Sequence, residues 1–140
     1  MSDGLADALR AEYAAIYGYG VVGPYLSEAH AAAGKEAEET HRQRRDTLLE
    51  QLAEASAAPP AAEAAYRLPF PVTDAAAAVK LAVHLEEGCA EAWRAALPVT
   101  TGEQRKFALD ALIDCAVRAT RWRVAAGLPA TVPFPGIARD

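Results

Sequence analysis

The sequence predicts an all-α protein, a bundle of four helices built from two helical hairpins. Apolar residues recur at alternating spacings of three and four in four long segments, which is the pattern of a helix face packed on a core. Alanine, the strongest helix former, dominates these apolar residues. Between the second and third segments lies a Pro-rich stretch, residues 58–73, which reaches up to about 50 Å when extended and can therefore cross the whole bundle.

The sequence predicts a single domain, residues 1–140, that contains all four helices. The predicted helices cover residues 3–33, 35–57, 74–97 and 101–126, followed by a C-terminal arm at 127–140. The first turn is expected near Gly34, and a kink is expected inside helix 1, where Gly23 precedes Pro24. Thr100 and Glu103 have the spacing of a capping box, which predicts the start of helix 4.

The crossover at residues 58–73 decides how the two hairpins are connected. It lets helix 3 begin at the same end of the bundle as helix 2, whereas an up-down-up-down bundle would not need so long a connection. This is the arrangement of ferritin-like four-helix bundles. The tripeptide Pro-Phe-Pro occurs in the crossover at 69–71 and again in the arm at 133–135. We therefore expect each hairpin to be followed by an extended segment that lays an aromatic ring on the bundle.

Composition excludes several classes of protein. The 140-residue chain is 52% hydrophobic and 24% charged, which is typical of a folded globular domain. Its net charge of −5 argues against nucleic acid as a partner, because phosphate binding needs a concentrated positive surface. No apolar run approaches the length of about 20 residues that spans a membrane. The first residues lack the basic and apolar regions of a signal peptide, so we expect a cytoplasmic location.

Acidic residues and one histidine lie at helix positions that could hold metal. In di-iron bundles two helices each supply a Glu and two others each supply Glu-x-x-His. The candidate ligands here are Glu12, Glu38, His41, Glu86 and Asp114. Helix 4 lacks the second Glu-x-x-His, because Val117 and not a histidine follows three residues after Asp114. The pattern keeps open an iron- or manganese-dependent oxidoreductase as the alternative function.

Residue counting along the helices favours a metal-free centre. With a turn near Gly34, Glu12 would lie about 16 Å above or below His41, which is too far for one metal pair. The residues expected at mid-height are Tyr19, Arg45, Glu86 and Asp114. A guanidinium can satisfy two carboxylates, so this set predicts a structural polar network with no cofactor. The leading hypothesis is therefore a non-catalytic binding or oligomeric module. A rotation of helix 2 by one position would replace Arg45 with Asp46.

The remaining candidates concern thiols, partners and ligands. Cys89 and Cys115 are expected at different heights, as two buried and inert thiols. A homodimer is expected, with an interface marked by aromatic residues, namely Tyr13, Tyr17, Tyr25 and Trp122. A third possibility is a pocket between the helices for a small apolar or anionic ligand, lined by aromatic residues and arginines.

Several segments also resemble a known family. They are EYAAIYGYGVVG, HRQRRDTLL, AYRLPFPVTD, the Leu85–Arg94 run and DALIDCAVRATRWR, which together extend over nearly the whole chain. The most specific parts are the LPFPVTD crossover and the two Trp-Arg pairs, Trp93-Arg94 and Trp122-Arg123. The chain resembles a bacterial family of ferritin-like domains of unknown function. The resemblance implies a ferritin-like bundle and no particular activity.

Overall fold

The computed structural model describes residues 3–137, which contain four long α-helices. They are α1 (Asp3–Val22), α2 (Glu28–Glu54), α3 (Ala75–Ala96) and α4 (Gly102–Ala125). Short 3₁₀ turns at Gly23–Tyr25 and Leu97–Val99 follow α1 and α3. No strand occurs among the described residues, so the prediction of an all-α, four-helix arrangement is confirmed. The last three residues of the predicted arm lie outside the described range.

The first hairpin turns earlier than the sequence predicts, because α1 ends at Val22 and not at Ala33. Gly23 and Pro24 open a 3₁₀ turn that breaks the helix outright, where the sequence suggested only a kink. Gly34, the expected turn residue, lies buried inside α2. A Cβ at this position would collide with the Leu26 side chain, so the glycine allows a close approach and does not make a turn.

The helices run up, down, down and up. Gly4, at the start of α1, lies against Ala96 at the end of α3, and Gly18 lies against Leu85 further along. α1 is therefore antiparallel to α3, and it is also antiparallel to α2, with which it forms a hairpin. α2 and α3 must consequently run in the same direction, which is why a long segment has to carry the chain back along the bundle.

That long segment packs on α1 as an ordered strap. The ring of Tyr66 lies 5.7 Å from the ring of Tyr17, and the Tyr13 hydroxyl donates a hydrogen bond of 3.3 Å to the Pro60 carbonyl. Val72 is buried beside α3. The Asp74 side chain then caps α3 by accepting from the Ala77 amide at 2.8 Å.

The apolar core divides into two clusters with a charged layer between them. The lower cluster includes Leu9, Leu48 and Trp93, and the upper cluster includes Tyr19 and Trp122. Fully buried polar side chains lie where the two clusters meet, and they are Glu12, His41 and Glu86. None of the described helices is long and apolar enough to span a lipid bilayer.

Candidate functional site: a buried ion-pair cluster

His41 lies at the centre of the bundle between two carboxylates. Its Nδ1 is 2.5 Å from Glu12 Oε2 on α1, and its Nε2 is 2.6 Å from Glu86 Oε1 on α3. All three side chains are fully buried. The early turn at Gly23–Tyr25 brings His41 level with Glu12, since antiparallel helices rise equally from their shared turn.

Arg44 joins this group from one turn further along α2. Its Nη1 donates to Glu12 Oε1 at 3.1 Å, and its Nη2 donates to Asp114 Oδ2 on α4 at 2.9 Å. The Trp93 indole N–H also donates to Glu12 Oε1, at 2.7 Å. Asp114 is one-third exposed and accepts a further bond of 3.0 Å from Arg118 Nε. One cluster therefore links all four helices.

Tyr19 completes the upper side of the cluster. Its hydroxyl donates to Glu86 Oε2 at 3.2 Å and accepts from the Trp122 indole N–H at 3.0 Å. The Tyr19 ring also stacks on the His41 imidazole, with centroids 5.6 Å apart. Within residues 3–137, no buried side-chain nitrogen or oxygen lacks a hydrogen-bond partner. The cluster thus meets the requirement that buried polar groups be satisfied.

The protonation states follow from the charges that face each group. Burial opposes ionisation of His41, but the neighbouring Glu86 and Glu12 carboxylates outweigh it and hold its pKa well above the usual value. Burial likewise opposes ionisation of Glu12, and the charges of His41 and Arg44 outweigh it and lower the pKa of that carboxyl. These directions favour an imidazolium at His41, which together with Arg44 faces the buried carboxyl groups of Glu12 and Glu86.

Two peripheral groups are tuned in the same way. Burial, helped by the adjacent Glu86, raises the pKa of Tyr19 well above its usual value, so the phenol stays a neutral donor. Burial would raise the pKa of Asp114, but hydrogen bonds from Arg44 and Arg118 outweigh it and lower that pKa. The cluster is thus held in one protonation pattern around neutral pH.

The structure places two predicted residues outside the cluster. The predicted mid-bundle arginine, Arg45, is corrected to Arg44, because Arg45 Nε bonds its exposed neighbour Asp46 at 2.9 Å. Adjacent residues on a helix point about 100° apart, so an error of one position exchanges a buried side chain for a surface one. Glu38 is also outside, since it pairs with Arg42 at 2.6 Å on the surface of α2.

Other predicted site residues do come together, and two contributors were missed. Tyr19, Glu86 and Asp114, proposed as a polar network, are all connected to it, and so are Glu12 and His41. Arg44 and Trp93 were not among the predicted site residues. Trp93 follows Glu86 by seven residues, two turns along the same helix face, which is a signal that could have identified it.

The two cysteines are nearer to each other than expected. The nearby Cys115 side chain, followed by burial, raises the pKa of the Cys89 thiol well above its usual value, so the two thiols lie close together and not at different heights. Arg44 Nη1 lies 3.6 Å from Cys115 Sγ. Both cysteines are free and buried. They extend the polar cluster towards the lower core.

The donor set does not fit a two-metal centre. Of the five candidate ligands, Glu38 lies on the surface, and Asp114 is held by two arginines. One smaller set remains, because ligand atoms of Glu12, His41 and Cys89 all lie within 4.8 Å of one another. Carboxylate, imidazole and thiolate are together suited to a single zinc-like cation. In the present arrangement the imidazole and carboxylate atoms are engaged in hydrogen bonds.

The aromatic residues expected at an interface mostly serve the fold. Trp122 is buried in the upper core, and Tyr13 and Tyr17 contact the strap. Of the four, Tyr25 alone is exposed, at 43%. Three of the four aromatics thus have contacts within the bundle, and the homodimer stays a prediction.

Four helices that bury a charged cluster at mid-height define a class, the all-α four-helix proteins with a polar centre. Within that class, residues 4–139 match the family described as a domain of unknown function, DUF4439, and the chain belongs to that family. It is similar to a conserved hypothetical protein, rv2844, from Mycobacterium tuberculosis, whose crystal structure gives a TM-score of 0.85 at 40% identity, covering 88% of this chain and 94% of that one. No curated protein matches the sequence.

Proposed function

We propose that this chain is a ferritin-like bundle in which an ion-pair cluster takes the place of a metal centre, and that it is a non-catalytic binding or oligomeric module. The observation that carries the proposal is the position of His41, whose ring nitrogens bond Glu12 and Glu86 from opposite sides. A metal ion needs a neutral imidazole as its ligand. The raised pKa of His41 opposes that state.

Arg44 supports the same conclusion. It donates to Glu12 from the remaining side, so both oxygens of that carboxylate already face cationic or polar donors. A cation entering the cluster would have to expel the His41 proton and lie beside a guanidinium. Because an uncompensated buried charge is costly, the cluster is stable when its own positive and negative side chains balance, without an added metal ion. The two free thiols fit the cytoplasmic location expected from the sequence.

The test is the metal content of protein expressed in medium supplemented with iron, manganese and zinc. We expect far less than one metal per chain by elemental analysis, with the same result for wild type and for Glu86→Gln. One or two metals per chain that disappear in Glu86→Gln would contradict the proposal. The exposed variant Glu39→Gln, on the surface of α2, is the matched control for nonspecific metal uptake.

A second candidate is a metal-binding protein that holds a single cation. It is favoured by the grouping of Glu12, His41 and Cys89 within 4.8 Å. The iron or manganese oxidoreductase considered from the sequence used two metal ions, whereas this ligand set would hold only one. Stoichiometric metal that is lost in Cys89→Ala, with folding retained, would establish this candidate over the metal-free cluster. The absence of metal from both wild type and Cys89→Ala would exclude the single-cation protein.

For the oligomeric role, we propose a homodimer formed through α4. One line of its surface carries aliphatic side chains between 43% and 63% exposed, namely Leu109, Ile113, Val117 and Val124. Antiparallel pairing of two copies about an axis near residue 115 would place Ile113 beside the partner's Val117. Apolar patches of this kind mark interaction sites.

Light scattering coupled to gel filtration tests the dimer. We expect twice the chain mass for wild type and the single chain mass for Ile113→Glu. Tyr25→Glu, at an exposed aromatic in the turn after α1, is the control and should remain dimeric. A wild-type protein of single mass at high concentration would contradict this part of the proposal.

A further inference from the structure

A cavity of about 550 Å³ lies between α3, α4 and the C-terminal arm, on the outside of the bundle. Its volume falls within the range of about 300–1,000 Å³ that small-molecule sites occupy. Most of its surface is aliphatic, contributed by Ala90, Ala116, Val117, Ala119, Val132 and Ile137. The central ion-pair cluster contributes no residue to this lining, so the cavity is a separate feature.

The cavity is held open by its floor and by its roof. Gly88 on α3 belongs to the floor, and a Cβ at that position would meet no atom within 4 Å. The arm forms the roof and is anchored at Pro135, whose carbonyl accepts from Arg94 Nη1 at 3.4 Å. Gly136 has φ +85°, and a Cβ there would lie 2.8 Å from the Ala90 carbonyl oxygen. Only glycine lets the arm approach α3 so closely.

Arg123 supplies hydrogen-bond donors at one end of the cavity. Its side chain is only 6% exposed, and its Nη2 donates to Glu87. A guanidinium has five N–H groups, and among the described residues Arg123 makes no other hydrogen bond. Arg123 borders the cavity, so the donors that Glu87 does not use lie at the cavity wall.

Charge differs between the two ends of the cavity. Arg121 lies at the same end as Arg123, is exposed, and has no ion pair among the described residues. Glu87 balances Arg123, so Arg121 leaves this end with a net positive charge. Glu91 also lines the cavity, one helical turn further along α3 than Glu87. The arginines therefore attract a ligand that has one anionic group. Glu91 repels a second anionic group at the other end of the ligand.

We propose that this cavity binds an aliphatic monocarboxylate, with its carboxylate at Arg121 and Arg123 and its chain along the aliphatic walls. Arginine suits a carboxylate because its donors match the two oxygens. The walls exclude water from the chain, which supplies the apolar part of the affinity. The inference rests on the proposed function only in treating the chain as a binding module.

The test is a titration of the full chain with octanoate, followed by ¹H–¹⁵N NMR. We expect saturable binding with a dissociation constant below about 1 mM, and shifts confined to residues 84–91, 116–123 and 131–137. Octylammonium and the dicarboxylate suberate should each bind at least about ten-fold more weakly, because each loses or opposes a charged contact. Arg121→Gln should weaken octanoate binding by about the same factor.

Filling the cavity separates binding there from binding elsewhere. Gly88→Leu places a side chain in the open space of the floor and improves helix propensity, so it should abolish octanoate binding in a folded protein. Gly20→Leu on α1, at another exposed glycine with no atom within 4 Å, is the matched control and should bind octanoate normally. The proposal would be overturned if Gly88→Leu binds octanoate as tightly as wild type does. It would also be overturned if wild type binds octylammonium as tightly as octanoate, or does not bind octanoate at all.

Metal content of the same preparation keeps the two proposals apart. Metal-free protein that fails to bind octanoate contradicts the ligand site and leaves the central cluster as proposed. Metal-loaded protein that binds octanoate contradicts the metal-free cluster and supports the ligand site.

Discussion

Replacing Arg44 with methionine should destabilise the protein far more than any exposed arginine replacement. Arg44 bonds Glu12, which is fully buried, and Asp114, which is one-third exposed. Removing one partner of a buried ion pair costs about 3–5 kcal/mol, because the other charge remains uncompensated. The contact with Asp114 adds at most about 1 kcal/mol, since that carboxylate keeps Arg118 and reaches water. Methionine preserves most of the aliphatic packing.

The retained contacts of Glu12 reduce the expected loss. His41 and Trp93 still bond this carboxylate, so we expect a loss near the lower limit, about 3 kcal/mol in the free energy of unfolding. For a chain of this length that corresponds to a fall in Tm of roughly 10 °C. If the loss arises from the uncompensated Glu12 charge, adding Glu12→Gln to Arg44→Met should cost much less than the two single changes together.

Urea unfolding monitored by circular dichroism at neutral pH measures these differences. Arg42→Met is the matched control, because Arg42 lies on the same helix and forms an exposed pair with Glu38. That replacement should change the free energy of unfolding by no more than about 0.5 kcal/mol. A loss below about 1 kcal/mol in Arg44→Met, or equal losses in the two variants, would refute a buried, charge-compensated Arg44.

Three further predictions concern pH, packing and the tyrosine. Because folding raises the pKa of His41, the stabilisation from its charge is complete below about pH 6.5 and is lost as pH rises towards the folded pKa. The free energy of unfolding of wild type, measured with urea, should therefore fall by about 1 kcal/mol per pH unit above pH 7, and that of His41→Gln should not. Gly18→Ala should destabilise by about 1 kcal/mol in thermal unfolding, because its Cβ would lie 2.5 Å from a buried leucine, whereas Gly20→Ala should stabilise. Tyr19→Phe should cost about 1–3 kcal/mol in urea unfolding by leaving Glu86 short of a donor, and a neutral result would show that the hydroxyl is dispensable.

The helices and the crossover could be predicted because each has a local signal. Helical periodicity located all four helices, and the Pro-rich composition located the segment that carries the chain back along the bundle. The first turn was misplaced because Gly23-Pro24 is compatible with a kink or with a helix end. In the observed turn Leu26 packs over Gly34, a contact that one continuous helix through both residues could not make.

That one turn also decided the interpretation of the site. A turn near Gly34 separates Glu12 from His41, whereas the observed turn brings them to 2.5 Å. Composition and helix position predicted a buried arginine among carboxylates. Identifying which arginine required the rotation of the second helix about its axis to be known to within one residue. Arg44 and Arg45 differ in nothing that the local sequence reveals. A ligand pocket was considered from the sequence, but the position of the cavity under the arm could not be predicted, since it depends on how residues 131–137 lie across α3.

The central claim is that His41 is an imidazolium whose two N–H groups hold Glu12 and Glu86. The most direct measurement is ¹⁵N NMR of histidine-labelled protein at about pH 7, with exposed His84 as the internal reference. We predict protons on both His41 ring nitrogens, imidazolium chemical shifts at a pH where an unperturbed histidine is neutral, and no change on addition of stoichiometric Zn²⁺ or Fe²⁺. A neutral His41 ring at that pH, or a ring nitrogen that responds to one equivalent of metal, would contradict the account.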